Sequence, residues 1–227
     1  AILSAIIAGQ MGFPVGRINL LVKSAILHDI GALKLQQLPD AEDLDDGTKE
    51  VVKKNTQETL AQYGDLDEEV LRLIAQMQEL YTRESDAEIP AGLKESVNAN
   101  ILYVADAYDR MTAMKSFEEP TSEVKAVREL LADEERYNKK IVNALIHGIS
   151  ILYPGVCVEL SNGEKGLVIT ENEDNIFEPT VLDFRNNNLY DLSDPSVKQT
   201  VEIADVMKTM DNRIKLDKSL LEEYQAN

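Results

Sequence analysis

The 227-residue sequence contains no tryptophan, one cysteine and two histidines. A single cysteine, Cys157, excludes an internal disulfide framework, because a disulfide needs two thiols. This cysteine usage fits a reducing compartment, and we expect a cytoplasmic protein. The thiol lies in a predicted strand, where packing is a more common role than nucleophilic chemistry. The histidines are His28 and His147, and the latter lies near the end of a predicted helix, where we expect a capping or core role.

The chain is also poor in basic residues. It has 23 lysines and arginines against 41 aspartates and glutamates, which gives a formal net charge of −18. Such a charge disfavours a nucleic-acid backbone or an anionic membrane surface as a partner. It does not exclude a small phosphorylated ligand, because a local basic patch is enough to bind one.

No apolar run in the sequence approaches the length needed to span a membrane. The apolar opening segment, residues 1–8, is short and lacks a basic flank. We therefore interpret it as the start of a buried helix and not as a signal peptide. Because the first residue is an alanine, we expect the sequence to be a fragment of a longer protein.

Hydrophobic periodicity predicts a mainly α-helical fold followed by a small β-rich appendage. The predicted helices cover residues 1–12, 17–30, 47–63, 67–83, 93–114, 121–133 and 137–151. The predicted strands cover 156–160, 166–169, 180–184 and 189–192, with an Asn162-Gly163 turn after the first strand and a terminal helix at 213–225. We accordingly predict a helical domain over residues 1–152 and a β-rich appendage with a C-terminal helix over residues 153–227.

The chemistry of the sequence centres on His28 and Asp29, which come near the end of the second predicted helix. An aspartate can bridge two cations, and a histidine can bind one cation through a ring nitrogen. A further carboxylate, Asp106, lies on a helix face of mostly small residues (Ala99, Leu102, Asp109 and Ala113). A carboxylate buried among such residues needs a cation or several hydrogen-bond donors. A surface aspartate on a mixed helix face is the alternative.

Four stretches in this order resemble the HD-GYP domain, a bacterial branch of the HD phosphohydrolases that hydrolyses cyclic di-GMP. They are residues 27–31 (LHDIG), 104–112 (VADAYDRMT), 115–117 (KSF) and 153–155 (YPG), the last followed by strands and Asn162-Gly163. The resemblance extends over about residues 1–192. It implies an HD-domain helical bundle, metal ligands at His28, Asp29 and Asp106, and a ligand-binding role for Lys115.

The sequence departs from the HD-GYP pattern at several residues that carry its chemistry. The family lysine after the His-Asp-Ile-Gly motif is Ala32, and the further metal-binding histidines align with Asn55, Met77 and Gln78. Residues 86–90 replace the GYP segment, and the first metal histidine of the family would precede Ala1. Neutral amide oxygens and a thioether are poor substitutes for imidazole toward Fe, Mn or Zn.

These substitutions leave the second metal position with Asp29 alone, whereas the first retains His28, Asp29 and Asp106. Binuclear hydrolysis needs both cations, to hold the phosphate and to generate hydroxide. We therefore expect the residual metal ligands to be insufficient, no cofactor to be bound and no catalytic residue to remain.

Three functions remain open. The first is a catalytically degenerate HD-GYP-like signalling or interaction module that binds a cyclic dinucleotide or a signalling protein. The second is an active mononuclear HD phosphohydrolase, a phosphodiesterase or a phosphatase, that binds Fe, Mn or Zn through His28, Asp29, Asp106 and an upstream histidine. The third is a structural module, for example one that forms a homodimer. Metal content separates the second from the others, and nucleotide binding separates the first from the third.

Overall fold

The computed structural model of the chain describes residues 1–35, 46–82, 89–114 and 120–207. They divide into two compact units, one formed by residues 1–121 and 126–149 and the other by residues 122–125 and 150 onward. The domain boundary at residues 152/153 stays a prediction. The mainly α-helical fold with a small C-terminal sheet is confirmed.

The helical part contains the helices that the hydrophobic pattern predicted. The described α-helices before the sheet are α1 (Ile2–Gln10), α2 (Val15–Leu27), α3 (Asp46–Leu60), α4 (Glu68–Thr82), α5 (Ala91–Lys94), α6 (Val97–Thr112), α7 (Glu123–Ala132) and α8 (Lys139–Ile149), with a 3₁₀ helix at Ile30–Lys34 between α2 and α3. Helix α6 packs against α1, α2, α4 and α8. Because helices surround α6, its residues 99–105 are all buried. This position makes α6 the central helix for α1, α2, α4 and α8.

The second helix is shorter than the sequence predicted. It begins after Pro14, whose fixed φ is compatible with a helix start, and it ends at Leu27 instead of residue 30. Gly31 lies inside the 3₁₀ helix that follows. The physical reason is a tertiary contact, since the Gly31 N–H donates a hydrogen bond to Thr56 Oγ1 on α3 at 3.0 Å. This bond replaces the one that a continuing α-helix would have made.

The C-terminal sheet is antiparallel, with strand order β4-β3-β2-β1-β5. Its strands are β1 (Cys157–Leu160), β2 (Lys165–Thr170), β3 (Thr180–Asp183), β4 (Leu189–Asp191) and β5 (Ile203–Val206). The first four correspond to predicted strands, and Gly163 has the positive φ of 80° that the turn between β1 and β2 requires. Strand β5 and the preceding short helix α9 (Pro195–Lys198) were not predicted. Only Ile203 of β5 is fully buried, so this strand carries little hydrophobic signal.

Two remaining expectations concern the C-terminal helix and membrane-spanning segments. The predicted terminal helix at 213–225 lies outside the described residues. Among the residues that the structure describes, no helix has both the length and the apolar character needed to cross a membrane.

Candidate functional site

His28 and Asp106 come together although they are 78 positions apart in the sequence. His28 follows the last turn of α2, and Asp106 lies on α6. The Nε2 atom of His28 is 3.5 Å from Asp106 Oδ1, and its Nδ1 atom is 2.9 Å from the carbonyl oxygen of Ala25. Because a carbonyl oxygen can only accept a hydrogen bond, Nδ1 carries a proton and donates it. The imidazole ring is thereby oriented with Nε2 toward Asp106.

The surroundings of His28 change its pKa in opposite directions. Burial of the ring lowers the pKa, whereas the hydrogen bond and negative charge of Asp106, the charge of Asp29 and the Ala25 carbonyl raise it. The raising contributions together exceed the effect of burial, so the pKa lies above its ordinary value. A protonated His28 therefore forms an ion pair with Asp106. Since a metal needs the neutral imidazole, a proton competes with any metal ion at Nε2.

Asp29 approaches the opposite side of the His28 ring. Its Oδ1 atom is 3.8 Å from Nδ1, the nitrogen already bonded to Ala25, and its side chain is 65% exposed. The side chain of Asp106 is 21% exposed. This carboxylate is therefore neither fully buried nor a surface residue, which were the two possibilities that the sequence left open. The three predicted metal ligands are thus neighbours, but the two carboxylates face different nitrogens of the imidazole.

Two of the three residues aligned with the family's other histidines donate hydrogen bonds to backbone carbonyl oxygens, and the third is a core residue. The amide nitrogen of Gln78 donates to the carbonyl oxygen of His28 at 2.9 Å. The amide nitrogen of Asn55 donates to the carbonyl oxygen of Gly31 at 3.4 Å. Met77 is 2% exposed and belongs to the hydrophobic core. Asn55 and Gln78 therefore connect α3 and α4 to the segment that holds His28.

Comparison with known proteins identifies this part of the chain. Residues 1–111 match the family model of the HD domain. This match supports a relationship of the segment to the HD phosphohydrolase superfamily. No curated protein matches the chain. The matched segment runs from α1 through most of α6 and includes His28, Asp29 and Asp106, so the HD resemblance is confirmed at the level of the superfamily.

The spacing of His28 and Asp106 can be compared with that of two ligands of one metal ion. The 3.5 Å between His28 Nε2 and Asp106 Oδ1 is close to the roughly 3.4 Å that separates two tetrahedral ligands each about 2.1 Å from one zinc ion. Within the described ranges, no three histidine, cysteine, aspartate or glutamate residues form a group that could hold a metal ion. The expected lack of bound metal stays a prediction.

A cavity of about 310 Å³ opens beside His28 in the HD domain. Its charged lining has three basic residues, Lys49 and Lys53 from α3 and Arg110 from α6, and three acidic ones, Asp29, Asp106 and Asp109. We call it the basic cavity. Sequence reasoning missed its basic residues, although Lys49 and Lys53 are four residues apart and Arg110 is four residues after Asp106. The predicted ligand-binding residue Lys115 lies outside the described residues.

Tyr81 on α4 organises two of the basic side chains. The Arg110 guanidinium carbon is 4.6 Å from the centre of the Tyr81 ring, and Lys49 Nζ is 5.7 Å from it. Both distances are within the range of cation–π attraction. The third basic group, Lys53 Nζ, is 3.4 Å from Thr82 Oγ1 and 3.5 Å from Glu50 Oε1. Helices α3, α4 and α6 therefore each contribute to positioning the positive charge.

A second cavity of about 390 Å³ is lined by some of the same residues. It shares His28, Asp29, Met77, Asp106 and Asp109 with the basic cavity, and its remaining lining is apolar. We call it the apolar cavity. Its unshared residues are Ala1, Ile2, Leu3, Ala25, Leu102 and Ala105.

Replacing His28 by alanine should lower the free energy of unfolding by roughly 1–3 kcal/mol, because partly buried polar partners lose their hydrogen bonds. The raised pKa makes this loss dependent on pH. The contribution of His28 is fully present below the unfolded pKa of about 6.5 and is lost as the pH rises through the higher folded value. Urea unfolding of the wild type and of His28→Ala at pH 5.5 and pH 8.5 measures both effects.

The other histidine provides the control for this experiment. His147 is exposed in the last turn of α8. His147→Ala should therefore change the stability by no more than about 0.5 kcal/mol. Equal unfolding midpoints for His28→Ala and His147→Ala at pH 5.5 would contradict the structural role of His28.

Proposed function

We propose that this HD domain is a catalytically degenerate, HD-GYP-like signalling module that is related to cyclic di-GMP phosphodiesterases and acts by binding. The observation that carries the proposal is the orientation of Asn55 and Gln78. Both amide groups donate to backbone carbonyls, at Gly31 and His28 respectively. Residues at positions that would have to supply metal ligands thus support the local fold instead.

The charge of the basic cavity supports the same conclusion. Divalent cations in an HD phosphohydrolase neutralise the charge on the substrate phosphate. Here Lys49, Lys53 and Arg110 line the cavity beside His28. The lining also carries Asp29, Asp106 and Asp109, so an anionic ligand would be favoured only next to the three basic side chains.

One observation favours a second function, a mononuclear phosphohydrolase. His28 Nε2 and Asp106 Oδ1 have a spacing that suits two ligands of one Fe, Mn or Zn ion. Upstream residues beyond Ala1 would have to complete that site. Metal content distinguishes this function from the binding module.

We predict that the full-length protein, purified without chelator, contains well under one transition metal per chain. Neutral amides and a thioether cannot replace imidazole ligands, and a proton competes for His28. Elemental analysis of Fe, Mn and Zn gives the stoichiometry. A value near two ions per chain would overturn the proposed function, and a value near one would favour the mononuclear phosphohydrolase.

Binding of cyclic di-GMP tests the ligand part of the proposal. Titration calorimetry in EDTA, at low and at physiological salt, should show weak binding, because the net charge of −18 opposes an anionic ligand. The binding should weaken further with salt, because salt screens the attraction between the ligand phosphates and nearby basic side chains. Chromatography of the recovered ligand should show it intact. A protein that binds no cyclic di-GMP at low salt would exclude this ligand and leave a protein partner as the target of the module.

A further inference from the structure

We propose that the turn between β3 and β4 binds a calcium ion through the side-chain oxygens of Asp183 and Asn187. Calcium prefers carboxylate, amide and carbonyl oxygens, and this turn offers oxygens of these kinds. The site lies in the C-terminal sheet and does not depend on the function proposed for the HD domain.

Asp183 is a buried carboxylate at the end of β3. It is 1% exposed and shares a face of the strand with Val181, which is 0% exposed. Its Oδ1 atom accepts a hydrogen bond from the Arg185 N–H at 2.7 Å. Its Oδ2 atom is buried and has no hydrogen-bond partner among the described residues. Burying a negative charge is costly unless a positive charge or several donors accompany it.

The neighbouring residues of the sheet do not supply that partner. Gly166 of β2 pairs with Asp183, and the side chains of directly paired residues lie on the same face of a sheet. Because glycine has no side chain, β2 offers no side-chain donor opposite the carboxylate. Arg185 is the basic residue of the turn, but its exposed guanidinium forms an ion pair with Glu164. The positive charge of the turn is therefore directed at another carboxylate.

Asn187 provides a second unpaired oxygen in the same turn. Its N–H donates to the carbonyl oxygen of Asp183 at 3.0 Å, and the Asp183 N–H donates to the carbonyl oxygen of Asn188 at 2.9 Å. These backbone hydrogen bonds hold the two residues next to each other. The Oδ1 atom of Asn187 is buried and also lacks a hydrogen-bond partner among the described residues. The turn thus contains two buried acceptor oxygens that need a donor or a cation.

A cation satisfies these oxygens better than a neutral donor does. A water molecule can donate to both, but it leaves the charge of Asp183 uncompensated. A calcium ion compensates the charge, and its irregular coordination can be completed by backbone carbonyl oxygens and water, whereas magnesium needs a stricter octahedral geometry. The turn contributes one carboxylate and so does not form a group of three acidic, histidine or cysteine residues. We therefore expect weak binding, with a Kd on the order of 1 mM.

An NMR titration of the full-length protein with calcium chloride, at physiological ionic strength, tests the site. The backbone amide signals of residues 183–188 should shift saturably. Asp183→Asn should weaken calcium binding by about 10-fold or more, because it removes the negative charge of the site but keeps an acceptor for the Arg185 N–H. Asp174→Asn is the matched control, since Asp174 is an exposed aspartate of the segment between β2 and β3. It should change the Kd by less than about twofold.

A substitution of the second ligand should have the opposite effect. Asn187 has a positive φ of 56°, which aspartate tolerates as asparagine does. Because Asn187→Asp adds a carboxylate, it should tighten calcium binding by about 10-fold. If the Asn187 amide instead donated directly to the Asp183 carboxylate, Asn187→Asp would place two like charges together without a gain in calcium affinity. That result would overturn the inference.

The remaining outcomes are equally decisive. Exposed carboxylates of a protein with a net charge of −18 can attract calcium, and equal titrations of the wild type, Asp183→Asn and Asp174→Asn would assign the binding to them. No saturable shift of residues 183–188 up to about 10 mM calcium would show that the turn holds no such ion. Spectra of the variants in EDTA show whether the sheet is folded. If Asp183→Asn does not fold, the affinity of Asn187→Asp decides.

Discussion

Replacing Gly31 by alanine should destabilise the HD domain by roughly 3 kcal/mol or more, because the added methyl group has no space. A Cβ atom at this position would lie 2.3 Å from Thr56 N, 2.3 Å from Val52 O and 2.6 Å from Thr56 Oγ1. Two of these atoms belong to the backbone of α3, so the helix itself would have to move. That movement would also stretch the hydrogen bond from Gly31 N–H to Thr56.

Urea unfolding of Gly31→Ala measures this effect, and Gly9→Ala is the matched control. Gly9 lies inside α1, and a Cβ atom there would have no neighbour within 4 Å. Because alanine is the better helix former by about 1 kcal/mol, Gly9→Ala should leave the stability unchanged or increase it. An unfolding midpoint of Gly31→Ala equal to that of the wild type would show that the 3₁₀ helix is not packed against α3 as described.

The role of Gly31 explains why the end of α2 was mispredicted. The apolar pattern continues through Leu27 and Ile30, and nothing in the local sequence stops the helix before Gly31. The helix ends early because α3 approaches closely and Thr56 accepts the Gly31 hydrogen bond. Thr56 is distant in sequence, so a local pattern carries no information about this contact. In contrast, α6 was predicted well, because its apolar residues recur at helical spacing.

The motifs indicated that His28, Asp29 and Asp106 lie close together, but not how they face one another. The sequence identified His28, Asp29 and Asp106 through their motifs, and the match to the HD domain covers all three. It did not show that the carboxylates face different nitrogens of His28, because that depends on how α2 and α6 pack. Lysines on a helix are usually solvated, so nothing in the sequence pattern marked Lys49 and Lys53 as residues of a site. Only the assembled helices bring them into one cavity with Arg110.

The largest expected effect concerns catalysis. Incubated with cyclic di-GMP and excess Mn²⁺ or Fe²⁺, the protein should release no linear dinucleotide or GMP above a metal-only control. Hydrolysis of a phosphodiester needs a hydroxide at neutral pH and neutralisation of the charge on the phosphate, and the metal pair of the family supplies both. Lys53 and Arg110 can neutralise charge, but neither lowers the pKa of a water molecule as a bound metal does. The rate enhancement of about a million-fold or more that enzymes typically provide should therefore be absent.

Chromatographic separation of cyclic di-GMP, the linear dinucleotide and GMP after prolonged incubation measures this result. Excess metal can compensate for a weakened site, but it cannot supply ligands that are missing from the required geometry. The nitrogens of the Asn55 and Gln78 amides donate to backbone carbonyls, and their neutral oxygens are poorer metal ligands than imidazole. Asp29→Ala provides the decisive comparison. Turnover that disappears in this variant would show that Asp29 still holds a catalytic metal and that residues other than Asn55, Met77 and Gln78 complete its coordination.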